Sequence, residues 1–257
     1  MHTNYLKAGV LLTVLLIAGS AAFVSLRAPK VPDFSGVYLI GDQRRIPDPD
    51  GSPATTLSAN TGGRRVLPFQ PWAARKDSEN RQTEAAQPLQ SLDPKLRCLP
   101  MGVPDVMWQP FPLQIVQTQE QVTMLFEADH EVRFIYLHRL HPEKLRKSWM
   151  GDSVGRWEGD TLVVDTIGEN ARTILLEPEH TFHSESLHTV ERFKLTDGGA
   201  ILDYRITITD PEVFTHPWEM HETYRRRSDL RLMDYVCAEN NRDVPVEAMP
   251  TQSISTH

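Results

Sequence analysis

Short runs rich in β-branched and aromatic residues recur from residue 113 onward, and they constrain the fold more than any other feature. Polar turns of two to four residues separate most of them, which is typical of sequential antiparallel strands. The sequence around Trp157-Glu158-Gly159-Asp160 predicts a tight hairpin. Within this β-rich region one helix is predicted, over 142–149, with Pro142 in its first turn. The predicted strands are 113–118, 121–127, 132–138, 153–158, 161–167, 185–195, 200–209, 218–227 and 231–237.

A chain of about nine such strands forms an antiparallel meander, and a long meander tends to close on itself because closure removes its exposed edges. We therefore expect an all-β protein with a closed β-barrel over residues 91–243. A barrel of eight to ten strands has room for a small ligand. A two-sheet β-sandwich is the alternative, because both folds share the same periodicity.

Proline divides the chain, since 13 of its 19 prolines precede residue 113. Residues 29–90 are predicted to form an irregular proline-rich lead, with a short helix near 71–81. The segment 33–39, DFSGVYL, is a candidate first strand. Residues 244–257 are predicted to form a flexible tail.

The N-terminal segment, residues 1–28, has the composition of an export signal. Lys7 precedes an uncharged apolar run over 8–26, and small residues follow its centre. This pattern favours a signal peptide cleaved near Ala21 or Ala22 and a periplasmic or secreted protein. The alternative is an uncleaved anchor in the inner membrane, because 19 apolar residues are just enough to span a bilayer.

Cys98 and Cys237 are the two cysteines of the chain. In an oxidising compartment two cysteines favour one disulfide bond. Two separate buried thiols are the alternative.

The net charge of −7 argues against a generic nucleic-acid binder, which needs a basic surface to neutralise phosphates. No Walker A or dinucleotide-binding fingerprint occurs, so a nucleotide cofactor is not expected. The remaining expectation for a partner is a small hydrophobic molecule in the barrel.

Strand parity suggests how polar side chains converge. Residues two apart on a strand share a face. If the polar faces line the lumen, they place a polar cluster in an apolar cavity, as in many small-molecule sites. If they point to water, they are ordinary surface. The candidates on these faces are Glu127, Asp165, His188, Arg192 and His221.

The first hypothesis is an exported, cofactor-independent enzyme that acts by acid–base chemistry on a hydrophobic or oxygenated small molecule in the barrel cavity, as a lyase, isomerase, cyclase or hydrolase. His188 is the predicted acid or base, Glu127 or Asp165 its partner, and Arg192 the group that stabilises developing negative charge. The residues predicted to bind substrate are His183, Trp218, His221 and Tyr224.

Two other hypotheses remain open. One is a lipocalin-like carrier that binds a small molecule without turnover, and the other is a structural envelope protein with a filled core. A zinc site formed by His183, His188, His221 and a carboxylate is a minor possibility, because no HExxH or similar ligand spacing occurs. We therefore predict no cofactor and no metal.

Four motifs resemble a family of exported bacterial β-rich proteins without an established activity. They are CLPMGVP (98–104), SWMGDSVGRWEGDTLVVDT (148–166), HSESLHTVERF (183–193) and DYVCAENNRD (234–243). The resemblance implies export and no particular reaction. A weaker, architectural resemblance to lipocalins rests on Gly36-Val-Tyr38 and Gly155-Arg-Trp157.

Overall fold

Nine strands form one closed barrel in the computed structural model, which describes residues 31–41, 67–175 and 180–239. Each strand pairs with its neighbours in chain order, and β1 pairs with β9 to close the ring. The all-β barrel is therefore confirmed, and the sandwich alternative is wrong. The strands are β1 (Gly36–Ile40), β2 (Leu113–Gln117), β3 (Gln121–Phe126), β4 (Val132–Leu137), β5 (Asp152–Glu158), β6 (Thr161–Ile167), β7 (His188–Thr196), β8 (Ile201–Thr209) and β9 (Trp218–Arg226).

One pair of neighbours, β4 and β5, is parallel, and the other pairs are antiparallel. A closed ring with an odd number of strands cannot alternate direction at every step, so one parallel pair is needed. Parallel neighbours require a crossover connection. Residues 138–151 form this crossover on the outside of the barrel. They contain no helix, so the helix predicted over 142–149 is wrong, and Ser148 bridges to Glu169 instead.

The first barrel strand comes from the lead. β1 pairs with both β2 and β9, so the barrel does not begin at residue 91 as predicted. Because β1 occupies the edges of both β2 and β9, no free strand edge remains there for residues 231–237, and they form no strand. Instead, the Met233 N–H donates to Glu127 Oε2 at 2.9 Å on the outside of the barrel.

The predicted helix in the lead is present and longer than expected, spanning Pro71–Ala86 (α1). Pro71 lies in the first turn of the helix, where the backbone N–H that proline lacks would have no hydrogen-bond partner within the helix. The helix is anchored at one end of the barrel, where Trp72 Nε1 donates to the Glu212 carbonyl at 3.0 Å. The predicted signal segment 1–28 and tail 244–257 lie outside the described residues.

Buried apolar side chains pack inside the barrel. On β8, for example, Leu202, Tyr204, Ile206 and Ile208 point inward and are at most 1% exposed. Alternate residues point outward, as the pleat of a strand requires. Phe34 closes one end of the barrel, packing edge-on against Trp157 with ring centroids 5.2 Å apart.

The predicted disulfide Cys98–Cys237 is confirmed and joins positions 139 residues apart, with Cα atoms 5.4 Å apart. The predicted hairpin is also present, since β5 and β6 are joined by Gly159-Asp160. Gly159 has φ +65°, in the left-handed region that favours glycine. None of the helices in the described residues combines the length and hydrophobicity needed to cross a bilayer.

Candidate functional site

The polar strand faces that were expected to line the lumen point outward, so that expectation is wrong. On β7, Thr189, Glu191 and Phe193 are buried in the barrel, while His188 and Arg192 lie on the outer face. The physical reason is that alternation along a strand assigns residues to two opposite faces, but it does not determine which face points into the barrel. The same outward placement holds for Glu127, Asp165 and His221.

A chain of hydrogen bonds nevertheless joins two predicted residues on this outer face. His188 Nε2 lies 3.0 Å from Asp165 Oδ1, because Ile167 pairs with His188 in register and brings β6 beside β7. His141, from the crossover, reaches the same oxygen through Nε2 at 3.1 Å. Its Nδ1 lies 2.7 Å from Asp152 Oδ2. The sequence Asp152–His141–Asp165–His188 is called the outer His–Asp chain below.

The outer His–Asp chain holds the His188 imidazole in a fixed orientation. The His188 side chain is 40% exposed, and Asp165 fixes the orientation of its ring. Among the described residues, Nδ1 of His188 has no hydrogen-bond partner. A carboxylate behind an imidazole with a free nitrogen is the arrangement that general acid–base catalysis requires.

The other two predicted catalytic residues lie apart from this chain. Arg192 Nη2 donates to Glu158 Oε2 at 2.7 Å in an exposed ion pair. Hydrogen bonds from Arg192 and Arg156 lower the pKa of Glu158. Glu127 instead accepts the Met233 N–H. The predicted convergence of His188, Glu127 and Arg192 is therefore wrong, whereas the pairing of His188 with Asp165 is present.

The four residues predicted to bind substrate occupy three different places. His221 lies on the outer face of β9, with Nε2 2.5 Å from Asp203 Oδ1. Trp218 and Tyr224 are buried inside the barrel, and His183 is buried in the segment that precedes β7. They do not form one binding surface.

The polar cluster that the barrel does contain was missed by the sequence reasoning. Arg133 Nη1 donates to Glu191 Oε1 at 2.8 Å, and Nη2 bonds the second oxygen. Ser153 Oγ and Thr166 Oγ1 accept further hydrogen bonds from the guanidinium, at 3.1 Å and 2.9 Å. Tyr204 donates its hydroxyl to Glu191 Oε1 at 3.0 Å.

Burial and pairing oppose each other in this cluster. Burial lowers the pKa of Arg133, but the interaction with Glu191, with smaller contributions from Tyr204 and Glu169, makes the net shift upward. Burial raises the pKa of Tyr204 well above its usual value, and the Glu191 charge adds to that rise. Arg133 and Glu191 therefore form a fully buried, hydrogen-bonded pair inside the barrel. No spacing in the sequence distinguishes Arg133 or Glu191 from a surface residue.

A second buried chain explains part of the CLPMGVP and HSE motifs. Glu169 Oε1 accepts the Val103 N–H at 3.1 Å and lies 2.5 Å from Thr173 Oγ1. Thr173 Oγ1 is also 2.7 Å from His183 Nε2. Burial raises the pKa of Glu169 well above its usual value and lowers that of His183, so their uncharged forms are favoured. Gly102, with φ +79°, is needed here because a Cβ would lie 2.2 Å from Glu169 Oε1.

The buried carboxyl of Glu131 gives a pH-dependent prediction. Its Oε1 accepts the Met101 N–H at 2.7 Å, while Oε2 has no partner among the described residues. Burial raises its pKa from 4.5 to about 7. The folded state thus binds the proton more tightly than the unfolded state, so stability is lost as the pH rises from 4.5 to about 7.

We therefore expect Glu131→Gln and the wild type to have similar free energies of unfolding near pH 4. Above pH 7 the variant should be more stable by about 3 kcal/mol, since one pKa unit corresponds to about 1.4 kcal/mol. Urea unfolding at a series of pH values measures this difference. A difference that does not change with pH contradicts the assignment.

A shallow, mostly apolar depression lies beside Tyr224. Its lining includes Val106, Met107, Leu113 and Phe126. In residues 31–41, 67–175 and 180–239, no group of three or more His, Cys, Asp or Glu side chains is arranged to hold a metal ion.

Comparison with known proteins does not assign the site. No family model matches the chain, and no curated protein is significantly similar to it.

Proposed function

We propose that the protein is an exported, cofactor-independent enzyme that performs acid–base chemistry on a small molecule at the outer His–Asp chain. The observation that carries the proposal is the contact of Asp165 Oδ1 with both His188 Nε2 and His141 Nε2, at 3.0 and 3.1 Å. One carboxylate oxygen that holds two imidazoles defines a rigid, partly exposed proton-transfer site. This site replaces the lumen as the place of reaction.

The proposed roles follow from exposure and bonding. His188 transfers the proton, because it is the more exposed imidazole of the two. Asp165 orients its ring and stabilises the imidazolium that forms. His141 and Asp152 fix Asp165 from the opposite side, with His141 Nδ1 2.7 Å from Asp152. Arg192 is not assigned a part, because Glu158 holds its guanidinium.

An outer site narrows the reaction type. It admits water and small oxygenated molecules, so hydrolysis and proton abstraction next to a carbonyl fit best among the four predicted reaction classes. Export remains part of the proposal and is supported by the apolar run over 8–26. The carrier alternative draws less support, because the inner strand faces carry packed side chains such as those of β8 and the buried Arg133–Glu191 pair.

The test is turnover by purified full-length protein. The substrates are nitrophenyl esters, lactones and enolisable ketones, the last followed by NMR as deuterium uptake from D₂O. We expect His188→Gln to lower kcat/KM by at least about 100-fold, since a positioned general acid or base contributes about 10²–10⁴. Asp165→Asn should lower it less, because the imidazole remains.

The matched control is His216→Gln, which removes an exposed histidine bonded only to the neighbouring Thr215 among the described residues. It should leave turnover unchanged. Turnover that survives His188→Gln, or that falls equally in both histidine variants, would refute the proposed site. Circular dichroism of each variant confirms that the barrel is intact.

A further inference from the structure

The outer face of β2, β3 and β4 exposes apolar side chains where a soluble surface is usually polar. Val116 is 40% exposed and Phe134 47% exposed. The two flank Thr123 across three neighbouring strands, because Val116 pairs with Thr123 and Thr123 with Phe134. Val132, two residues before Phe134, shares its face and is also exposed. Contiguous exposed apolar surface of this kind indicates an interaction site.

The crossover extends this surface and adds positive charge. Leu140 is 87% exposed, more than any other large apolar residue of the described chain. The preceding Arg139 lies over the ring of Tyr136 on the same outer face, 3.8 Å from its centroid. Residues 138–147 contain four basic side chains and one acidic one, Glu143. Arg139 pairs with Asp152 and Lys147 donates to the Glu185 carbonyl, whereas Lys144 and Arg146 are exposed. The surface formed by Val116, Val132, Phe134, Tyr136 and residues 138–147 is called the basic apolar face below.

The described chain begins beside this face. Its first residue, Val31, is 41% exposed. The Pro32 carbonyl accepts a hydrogen bond from Gln117 Nε2 at 2.8 Å, and the Phe34 N–H donates to Gln117 Oε1 at 2.9 Å. In the sequence, the uncharged apolar run over 8–26 ends a few residues before this point.

We propose that the basic apolar face rests on an anionic bilayer surface, with Leu140 and Phe134 in the interface and Lys144 and Arg146 at the lipid headgroups. Exposed apolar side chains beside basic ones are the combination that binds the surface of anionic membranes. This inference does not depend on the proposed catalytic activity.

The test must separate contact of this face from simple attachment through the N-terminal segment. Full-length Leu140→Cys is labelled with an environment-sensitive NBD dye, since the two native cysteines are joined in a disulfide. The control is full-length Glu219→Cys with the same dye, on the exposed outer face of β9, far round the ring from β4. Both proteins are reconstituted with phosphatidylglycerol vesicles and with phosphatidylcholine vesicles.

With phosphatidylglycerol we expect the label at position 140 to shift to shorter wavelength. Its quenching by aqueous iodide should fall roughly twofold, since interfacial side chains enter about 5–10 Å into the bilayer boundary. The label at position 219 should show neither change. Adding Lys144→Glu and Arg146→Glu to the labelled Leu140→Cys protein should abolish its response.

Three outcomes would overturn the inference. Equal iodide quenching at positions 140 and 219 means that the N-terminal segment only tethers the barrel. An equal response in phosphatidylcholine means that charge plays no part. Protection of position 140 without vesicles, increasing with protein concentration, means that a second copy of the chain covers the face.

Discussion

Glu191→Gln is expected to lower the free energy of unfolding by about 3–5 kcal/mol, the usual cost of breaking a buried ion pair from one side. The Arg133 guanidinium is fully buried and bonds both oxygens of the Glu191 carboxylate. Removing that carboxylate leaves the arginine charge in the barrel without compensation. Ser153 and Thr166 also accept hydrogen bonds from Arg133, but they are neutral and cannot replace the lost charge.

Urea unfolding followed by tryptophan fluorescence measures this loss. The matched control is Glu158→Gln, which removes an exposed carboxylate that also pairs with an arginine. Water and salt screen an exposed pair, so the control should change stability little. A double variant, Arg133→Met with Glu191→Leu, should recover much of the loss, because apolar residues of similar size often replace buried ion pairs without cost. Equal small losses in Glu191→Gln and Glu158→Gln would contradict the role assigned to the buried pair.

The strands and the barrel were predictable because they follow from local patterns. Alternation over segments such as 161–167 and 200–209 sets the strands, and short turns such as Gly159-Asp160 join neighbours. The disulfide was predictable from the number of cysteines and the expected compartment. Each of these inferences needs only a few neighbouring residues or a simple count.

The inner and outer faces were not predictable in the same way. On β4 the buried face carries Arg133, whereas the outer face carries Val132 and Phe134. Hydropathy would therefore place the outer face of β4 in the core. The burial of Arg133 depends on Glu191, 58 residues away, and no local pattern records that partnership.

Competition for strand edges explains the errors at the ends of the barrel. Residues 231–237 have a strand-like composition, but β1 already occupies the edge of β9. The crossover was predicted as a helix because Pro142 is followed by helix-favouring residues. In the structure His141 and Ser148 make their contacts with β5 and with the segment after β6, and these contacts hold the crossover without a helix. Both outcomes depend on distant parts of the chain, which a short sequence window does not contain.

The disulfide gives the second large expected effect. The double variant Cys98→Ser with Cys237→Ser should lower the free energy of unfolding by up to about 5 kcal/mol. The bond spans 139 residues, so in the chain-entropy account it removes many conformations from the unfolded state. It also holds the C-terminal segment against the barrel, where the Cys237 N–H donates to Asp129 Oδ1 at 2.9 Å.

Two measurements separate these contributions of the disulfide. Urea unfolding of the oxidised wild type, the reduced wild type and the double variant gives the total loss of unfolding free energy. The reduced wild type and the double variant should have the same stability. Hydrogen exchange then shows which backbone amides lose protection. If the bond acts mainly on the unfolded state, amides of the central strands β6–β8 lose protection together with the rest of the barrel, because their slowest exchange follows global unfolding. If it acts mainly by docking the C-terminal segment, the loss is confined to amides such as those of Met233 and Cys237, and global stability changes by less than about 1 kcal/mol, well short of the chain-entropy value. We expect the first result, because the two hydrogen bonds that hold this segment through Glu127 and Asp129 remain available after the sulfur atoms are removed.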